Sequence, residues 1–180
     1  MDAFESLIAT LLRRQGYWTT TSFRVQLTKE EKRTMGIPSS PRWELDVLAY
    51  SGAKNKLLVV ECKSYLDSRG VRFKDGDFFH PERYKLFTRP VVRQAVLSRL
   101  GTQVIESGLC AVNPKINLAL ATGNIATERD REELLNHAQT HKWILFDDKW
   151  IRDRLSEFKE SDYENEVAHV CAKILLRGNQ

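Results

Sequence analysis

Glu61-Cys62-Lys63 closes an apolar run, Leu57-Leu58-Val59-Val60, and the earlier stretch Trp43-Glu44-Leu45-Asp46-Val47 carries two more acids. Read as strands, both segments send successive side chains to opposite faces. Glu61 and Lys63 then share a face with Leu57 and Val59, while Cys62 joins Leu58 and Val60 on the other. Such a strand is buried on both sides until its end, where two charges emerge together. Gly52-Ala53-Lys54-Asn55 between the segments is rich in turn formers, so the two strands make a hairpin. A turn centred between Ala53 and Lys54 sets Asp46 opposite Glu61 and Glu44 opposite Lys63. A slip of one residue would separate the carboxylates.

Two carboxylates placed opposite each other repel unless a cation sits between them. A hard divalent ion with oxygen ligands is the ordinary solution, most naturally Mg²⁺, with Mn²⁺ as a substitute. Such an ion acidifies a bound water and stabilises charge on a phosphate oxygen, and a lysine beside it can orient or deprotonate that water. Phosphodiester hydrolysis is the chemistry this arrangement suits. The plain alternative is a structural salt-bridge cluster at a sheet end. A buried ion pair seldom adds much net stability, which makes the structural cluster the poorer explanation.

The elements that must position these residues follow from patterning. Phe4, Leu7, Ile8, Leu11 and Leu12 lie at helical spacing over 2–16, and the β-branched and aromatic run over 17–27 is a strand. Residues 28–41 read as a polar loop ending in Pro38-Ser39-Ser40-Pro41. After the hairpin strands at 43–51 and 56–63, residues 64–82 are a long polar excursion, and long loops in compact domains are more often functional than idle. A helix over 84–107, begun or interrupted near Pro90, precedes a buried strand at 116–121. Thr127 with Asp130 marks a helix start that runs to His141. A strand at 143–146, a helix at 149–158 and a last helix at 163–176 complete the chain. This order predicts an α/β protein, a central mixed β-sheet flanked by helices, in one domain over 1–180.

Asp46, the hairpin and Glu61-Cys62-Lys63 resemble the D…ExK signature of the PD-(D/E)XK nuclease superfamily, which has the restriction-endonuclease-like fold. The order of helix, strand, Asp-bearing strand, ExK strand, helix and strand is similar to that superfamily's common core over about residues 4–122. The C-terminal part, 127–177, adds a strand and helices, of which Trp143–Leu155 resembles the end of Mrr-type restriction endonucleases. Junction resolvases are the other similar branch. No Pro precedes Asp46, whose neighbours are Leu45 and Val47. The resemblance implies Asp46 and Glu61 as metal ligands, Lys63 as water-activating base or transition-state stabiliser, and Glu5 on the first helix as an auxiliary acid. It implies products with a 5′-phosphate and a 3′-hydroxyl. Glu5 has a second reading, because acids favour the first turn of any helix. Glu44 stays open as well, either part of the acidic patch or the partner of Lys63.

The other candidates carry less. His137 and His141 have the spacing of a zinc pair but no third ligand nearby, so solvated helix histidines are the better account. Cys62 faces away from the charged pair and reads as a small buried apolar residue. Arg69, Arg72, Lys74, Arg83, Lys85, Arg89, Arg93 and Arg99 cluster after Lys63, with Tyr65, Phe73, Phe78, Phe79 and Tyr84 among them. Cations for phosphates and aromatics for stacking suit a nucleic-acid groove.

The 180 residues carry 28 Lys+Arg against 24 Asp+Glu, a net charge of +4 that permits an anionic partner without demanding one. Apolar runs are too short for a membrane span, no secretory pattern opens the chain, and three widely spaced cysteines make no disulfide framework, so a cytoplasmic address is expected. The expectation is thus a metal-dependent nuclease acting on nucleic acid, most naturally a DNA endonuclease of restriction, junction or repair type. A homodimer is reasonable for cutting two strands. A non-catalytic DNA-binding module of the same fold, and a nuclease subunit of a larger defence or mobile-element complex, are the alternatives.

Overall fold

Asp2 starts the first helix, α1 (Ala3–Arg14), by accepting the Phe4 N–H at 2.6 Å, and Glu5 reaches back to the Asp2 N–H at 3.4 Å. This capping box satisfies donors that a helix start leaves orphaned. The computed structural model describes residues 2–37, 42–162 and 164–176. After α1 the chain forms β1 (Trp18–Val25), α2 (Lys29–Thr34), β2 (Trp43–Ser51) and β3 (Lys56–Lys63). A small hairpin of β4 (Phe73–Lys74) and β5 (Asp77–Phe78) interrupts the excursion that follows. Then come α3 (Lys85–Thr88), α4 (Pro90–Glu106), β6 (Lys115–Thr122), α5 (Glu128–Thr140), β7 (Ile144–Phe146), α6 (Asp148–Ser156) and α7 (Val167–Leu176).

Five strands form one sheet in the order β1-β2-β3-β6-β7. The β1, β2 and β3 neighbours are antiparallel, whereas β6 lies parallel to β3 and to β7. The protein is therefore α/β with a central mixed sheet and helices on both faces. Alternation along β3 makes both layers: Leu57 and Val59 join a core with Val92, Val96 and Leu100 of α4. Leu58 and Val60 join the opposite core with Ile8, Leu11 and Leu12 of α1. Among the described residues no helix is long and apolar enough to cross a membrane.

Two boundaries differ from the sequence reading, and the expected break near Pro90 is present. Residues 28–41 contain a helix, α2, because Thr28 and Glu31 make a capping box and Glu31 pairs with Arg99 on α4 at 2.9 Å. It buries no residue of its own, so it leaves no apolar period to read. The Pro38–Pro41 part of that loop lies outside the described residues. Residues 84–107 divide into α3 and α4 at Arg89-Pro90, where the ring has no N–H to give and holds Arg89 extended. The last helix begins at Val167, and the expected start at Tyr163 is outside the described residues.

Candidate active site

The β2–β3 ladder pairs Ser51 with Lys56 and Val47 with Val60, the register that a turn centred between Ala53 and Lys54 dictates. Continued one step, the same register would set Asp46 opposite Glu61, whose pKa the Asp46 charge raises. There the regular ladder stops, and the Asp46 carboxylate accepts the Cys62 backbone N–H at 2.6 Å. On its other side β2 pairs Val47 with Thr21 and Leu45 with Phe23, stepping over Asp46 and Ser22. Ser22 has φ 52°, a left-handed conformation that a non-glycine residue seldom adopts. Asp46 thus lies outside the β1 ladder, and its carboxylate reaches the end of β3.

Lys63 Nζ lies 2.6 Å from Glu61 Oε1, with both side chains largely enclosed at 22% and 19% exposure. Burial pushes the Glu61 carboxyl above its ordinary value, and Asp46 adds to the rise, while Lys63 opposes it. Asp46 is likewise raised by burial, which outweighs the Cys62 N–H and Lys63 that pull it down. Burial works against the Lys63 charge, yet Glu61 and Asp46 prevail and hold its pKa above the ordinary lysine value. Lys63 is therefore an ammonium in this arrangement.

Glu5 comes within electrostatic range of both β-strand acids. Burial raises its pKa most, the Asp2 N–H lowers it, and Asp46 raises it again. Its capping bond gives it a structural duty as well, so both readings of Glu5 have a physical basis. A pocket of about 170 Å³ opens between the start of α1 and the end of β3, lined by Asp2, Phe4, Glu5, Lys63 and Tyr65 among others. The Lys63 ammonium stands 6.0 Å from the centroid of the Tyr84 ring, and the Tyr84 hydroxyl meets that of Tyr65 at 3.3 Å. Tyr84 is a neighbour that spacing could not reveal, because the excursion must fold back before it reaches Lys63.

β6 supports the site from the other edge. Gly123 N–H donates to the Lys63 carbonyl at 3.1 Å, and a Cβ on Gly123 would sit 2.2 Å from the Ser64 carbonyl oxygen. Only glycine permits the two chains to approach so closely.

Cys62 follows the sequence reading, and the other candidates are placed by the partners they find. Glu44 is turned to β1, where it pairs with Arg24 at 3.4 Å, so Lys63 has Glu61 and not Glu44 as its partner. Cys62 packs against the α1-side core, and burial pushes its thiol pKa well up, as suits an inert apolar residue. His137 is half-buried and lies tilted against Phe73 at 4.9 Å, while His141 is exposed, as a solvated helix histidine, and stacks on Trp143 at 4.5 Å. Arg89 donates to the Met35 carbonyl, Arg93 to those of Leu86 and Phe87, and Arg99 to Glu31, so these three cations brace the fold.

The donor set can be tested against a divalent ion. Among the described residues no three Asp, Glu, His or Cys side chains close on a common point. Mg²⁺ does not require that, since it is commonly held by one or two carboxylates, with waters and phosphate oxygens filling the rest. Asp46 and Glu61 are two oxygen donors, and with Glu5 they outnumber the single ammonium of Lys63. The chemistry of the cluster thus fits a hard dication. No family model matches the chain, and no match emerges among curated proteins or solved structures.

Proposed function

We propose that the chain is a metal-dependent phosphodiester hydrolase, a DNA endonuclease with a restriction-endonuclease-like arrangement of its sheet. The observation that carries this reading is the junction of β2 and β3. Two raised carboxylates, Asp46 and Glu61, and one ammonium, Lys63, gather there at the end of an otherwise apolar strand. Asp46 and Glu61 would hold Mg²⁺ or Mn²⁺. When bound, that ion would supply Lewis acidity to a phosphate oxygen and a more acidic water.

The chain's own residues do the rest. Cys62 N–H holds Asp46 in one orientation, so this ligand is preorganised. Lys63, kept charged by Glu61, stabilises negative charge that develops on the phosphate and orients the attacking water. A deprotonating role would require Lys63 first to lose its bond to Glu61, so charge stabilisation is its primary part. Glu5 at the rim of the pocket adds a further acid toward the water.

Cleavage of supercoiled, linear and branched DNA in Mg²⁺, in Mn²⁺ and in EDTA tests the proposal. Cutting is expected with either metal and none with EDTA. Asp46→Ala and Lys63→Ala are each expected to lose about 10²–10³-fold in rate, the scale for removing one preorganised charge-stabilising group. Wild-type cutting that survives both substitutions would place the chemistry elsewhere. DNA binding without cutting under every metal condition would favour the non-catalytic module. Chromatographic mass with and without DNA distinguishes a monomer from a homodimer or a larger complex.

A further inference from the structure

A second cavity, about 220 Å³, adjoins the candidate site, and Tyr65 lines both. Arg69, Arg72 and Arg83 line it, and no Asp or Glu does. Among the described residues none of the three makes an ion pair, unlike Arg99 with Glu31. The nearest acid in sequence, Glu82, faces His80 at 3.5 Å. Arg72 is stacked on the Phe79 ring, 4.1 Å from its centroid, which limits the rotamers open to the guanidinium.

The loop that carries these arginines is anchored. Val71 N–H donates to the Asn124 carbonyl at 3.0 Å, and the Asn124 side chain donates to the Ser68 carbonyl at 3.1 Å. Gly70, with φ 89°, lets the loop lie against Asn124, whose backbone a Cβ would approach to 2.7 Å. The cations are thus presented on a backbone pinned to the end of β6, the same strand end that supports Lys63. Arg83 hydrogen-bonds the Tyr65 side chain and feels the Glu82 charge, but no carboxylate lines the cavity. Three guanidiniums around it repel each other, and that arrangement becomes favourable once a multiply bonded oxyanion enters. The volume lies below the roughly 300–1,000 Å³ of small organic ligand pockets, so it suits a phosphate group and not a whole nucleotide.

We propose that Arg69, Arg72 and Arg83 form a single phosphate-binding pocket that grips one backbone phosphate of the DNA strand next to the candidate cleavage site. The identity of the anion as a DNA phosphate rests on the nuclease reading; the pocket itself does not. It sets the position of the strand along the sheet end and carries no sequence information, since phosphate contacts position and base contacts specify.

The test is anisotropy of a short fluorescein-labelled duplex with the full chain in EDTA, across a range of salt concentrations. Arg69→Ala/Arg72→Ala/Arg83→Ala is expected to bind at least tenfold more weakly. Because three cations share one phosphate, the slope of log K against log salt should shrink by only about 0.9. All three side chains are exposed, and circular dichroism with a thermal melt verifies the fold. The triple lysine variant, which restores the charge, should regain most of the slope. Lys115→Ala, at the far end of β6, should bind like wild type. An unchanged affinity and slope would overturn the pocket. A slope smaller by nearly three would also overturn it, because the arginines would then be engaging separate phosphates. A wild-type chain that ignores DNA while inorganic phosphate raises its melting temperature would make free phosphate the ligand and overturn the proposal. Arginine-dependent binding with no metal-dependent cutting would leave the pocket standing and remove the nuclease. Cutting by a triple variant of undiminished affinity would do the reverse.

Discussion

At the scale of single residues, Asp46, Glu61 and Glu5 repel one another with one lysine to offset them, and their folded pKa values are raised above ordinary ones. A group whose pKa rises on folding contributes stability below its unfolded value, and that contribution is lost as pH climbs through the folded value. Without metal, these acids should therefore weaken the fold between the ordinary carboxylate range and neutrality. Asp46→Asn keeps an oxygen for the Cys62 N–H and removes one charge, so the metal-free variant should melt several degrees higher at pH 7 than wild type. Each kcal/mol is worth roughly 2–4 °C in a chain of this size. The same variant should lose cleavage, which differential scanning calorimetry beside an activity assay would reveal as opposite signs. Glu61→Gln should also melt higher at pH 7, though by less, because it leaves the Lys63 ammonium with a neutral partner. Equal melting of all three proteins would remove the electrostatic account. The acids and the lysine were legible from alternation along two strands. Tyr84 and the diversion of Glu44 to Arg24 were not, since each depends on a chain segment arriving from elsewhere.

Among the elements, β6 and the excursion after β3 must meet with almost no space between them. Gly123→Ala places a methyl 2.2 Å from the Ser64 carbonyl oxygen, against backbone that cannot swing aside as a long side chain would. A loss of about 1–3 kcal/mol, the ordinary cost of overpacking, is expected in urea unfolding. The variant should also lose cleavage disproportionately, because Lys63 and Ser64 move together. Stability and activity both equal to wild type would show that the junction relaxes freely. The β4–β5 hairpin hangs on a comparable point, where Asp130 of α5 accepts the Phe73 N–H at 2.7 Å. Asp130→Ala should speed proteolysis within 64–84 while α1 and the sheet stay protected. Of these elements the strands and α1 were readable from apolar period. The helix α2 was not, because its support is a cap and an ion pair instead of a buried stripe.

For the whole molecule, a buried charge network joins the start of α6 to α5. Arg131, 6% exposed, binds Asp147 and, at 2.8 Å, Asp148. Arg131→Met would leave the Asp147 carboxylate without its cation, while Asp148 keeps Arg152, and a loss of about 3 kcal/mol is expected in chemical denaturation. Burial opposes the Asp148 charge, but Arg131 and Arg152 outweigh it and hold its pKa below the ordinary aspartate value. Its contribution is present above the unfolded value and lost as pH falls through the folded one. Together with the opposite slope from Asp46 and Glu61, this predicts a metal-free stability maximum in the mildly acidic range. Asp46→Asn should flatten only the neutral side of that profile, and Arg131→Met only the acid side. Thermal melts from pH 3 to 8 would read both limbs.

The sequence by itself determined the α/β class, the two-faced burial of β3, the hairpin register and the gathering of Asp46, Glu61 and Lys63. All of these follow from periods and turns that span only neighbouring residues. Tertiary structure decided that Lys63 takes Glu61 as partner and that the helix-capping Glu5 comes within range of Asp46. It also chose, from a run of eight basic side chains, the three that surround one cavity. Those choices depend on how segments distant in sequence pack and on which charges packing leaves unpaired. Local periodicity carries no record of either.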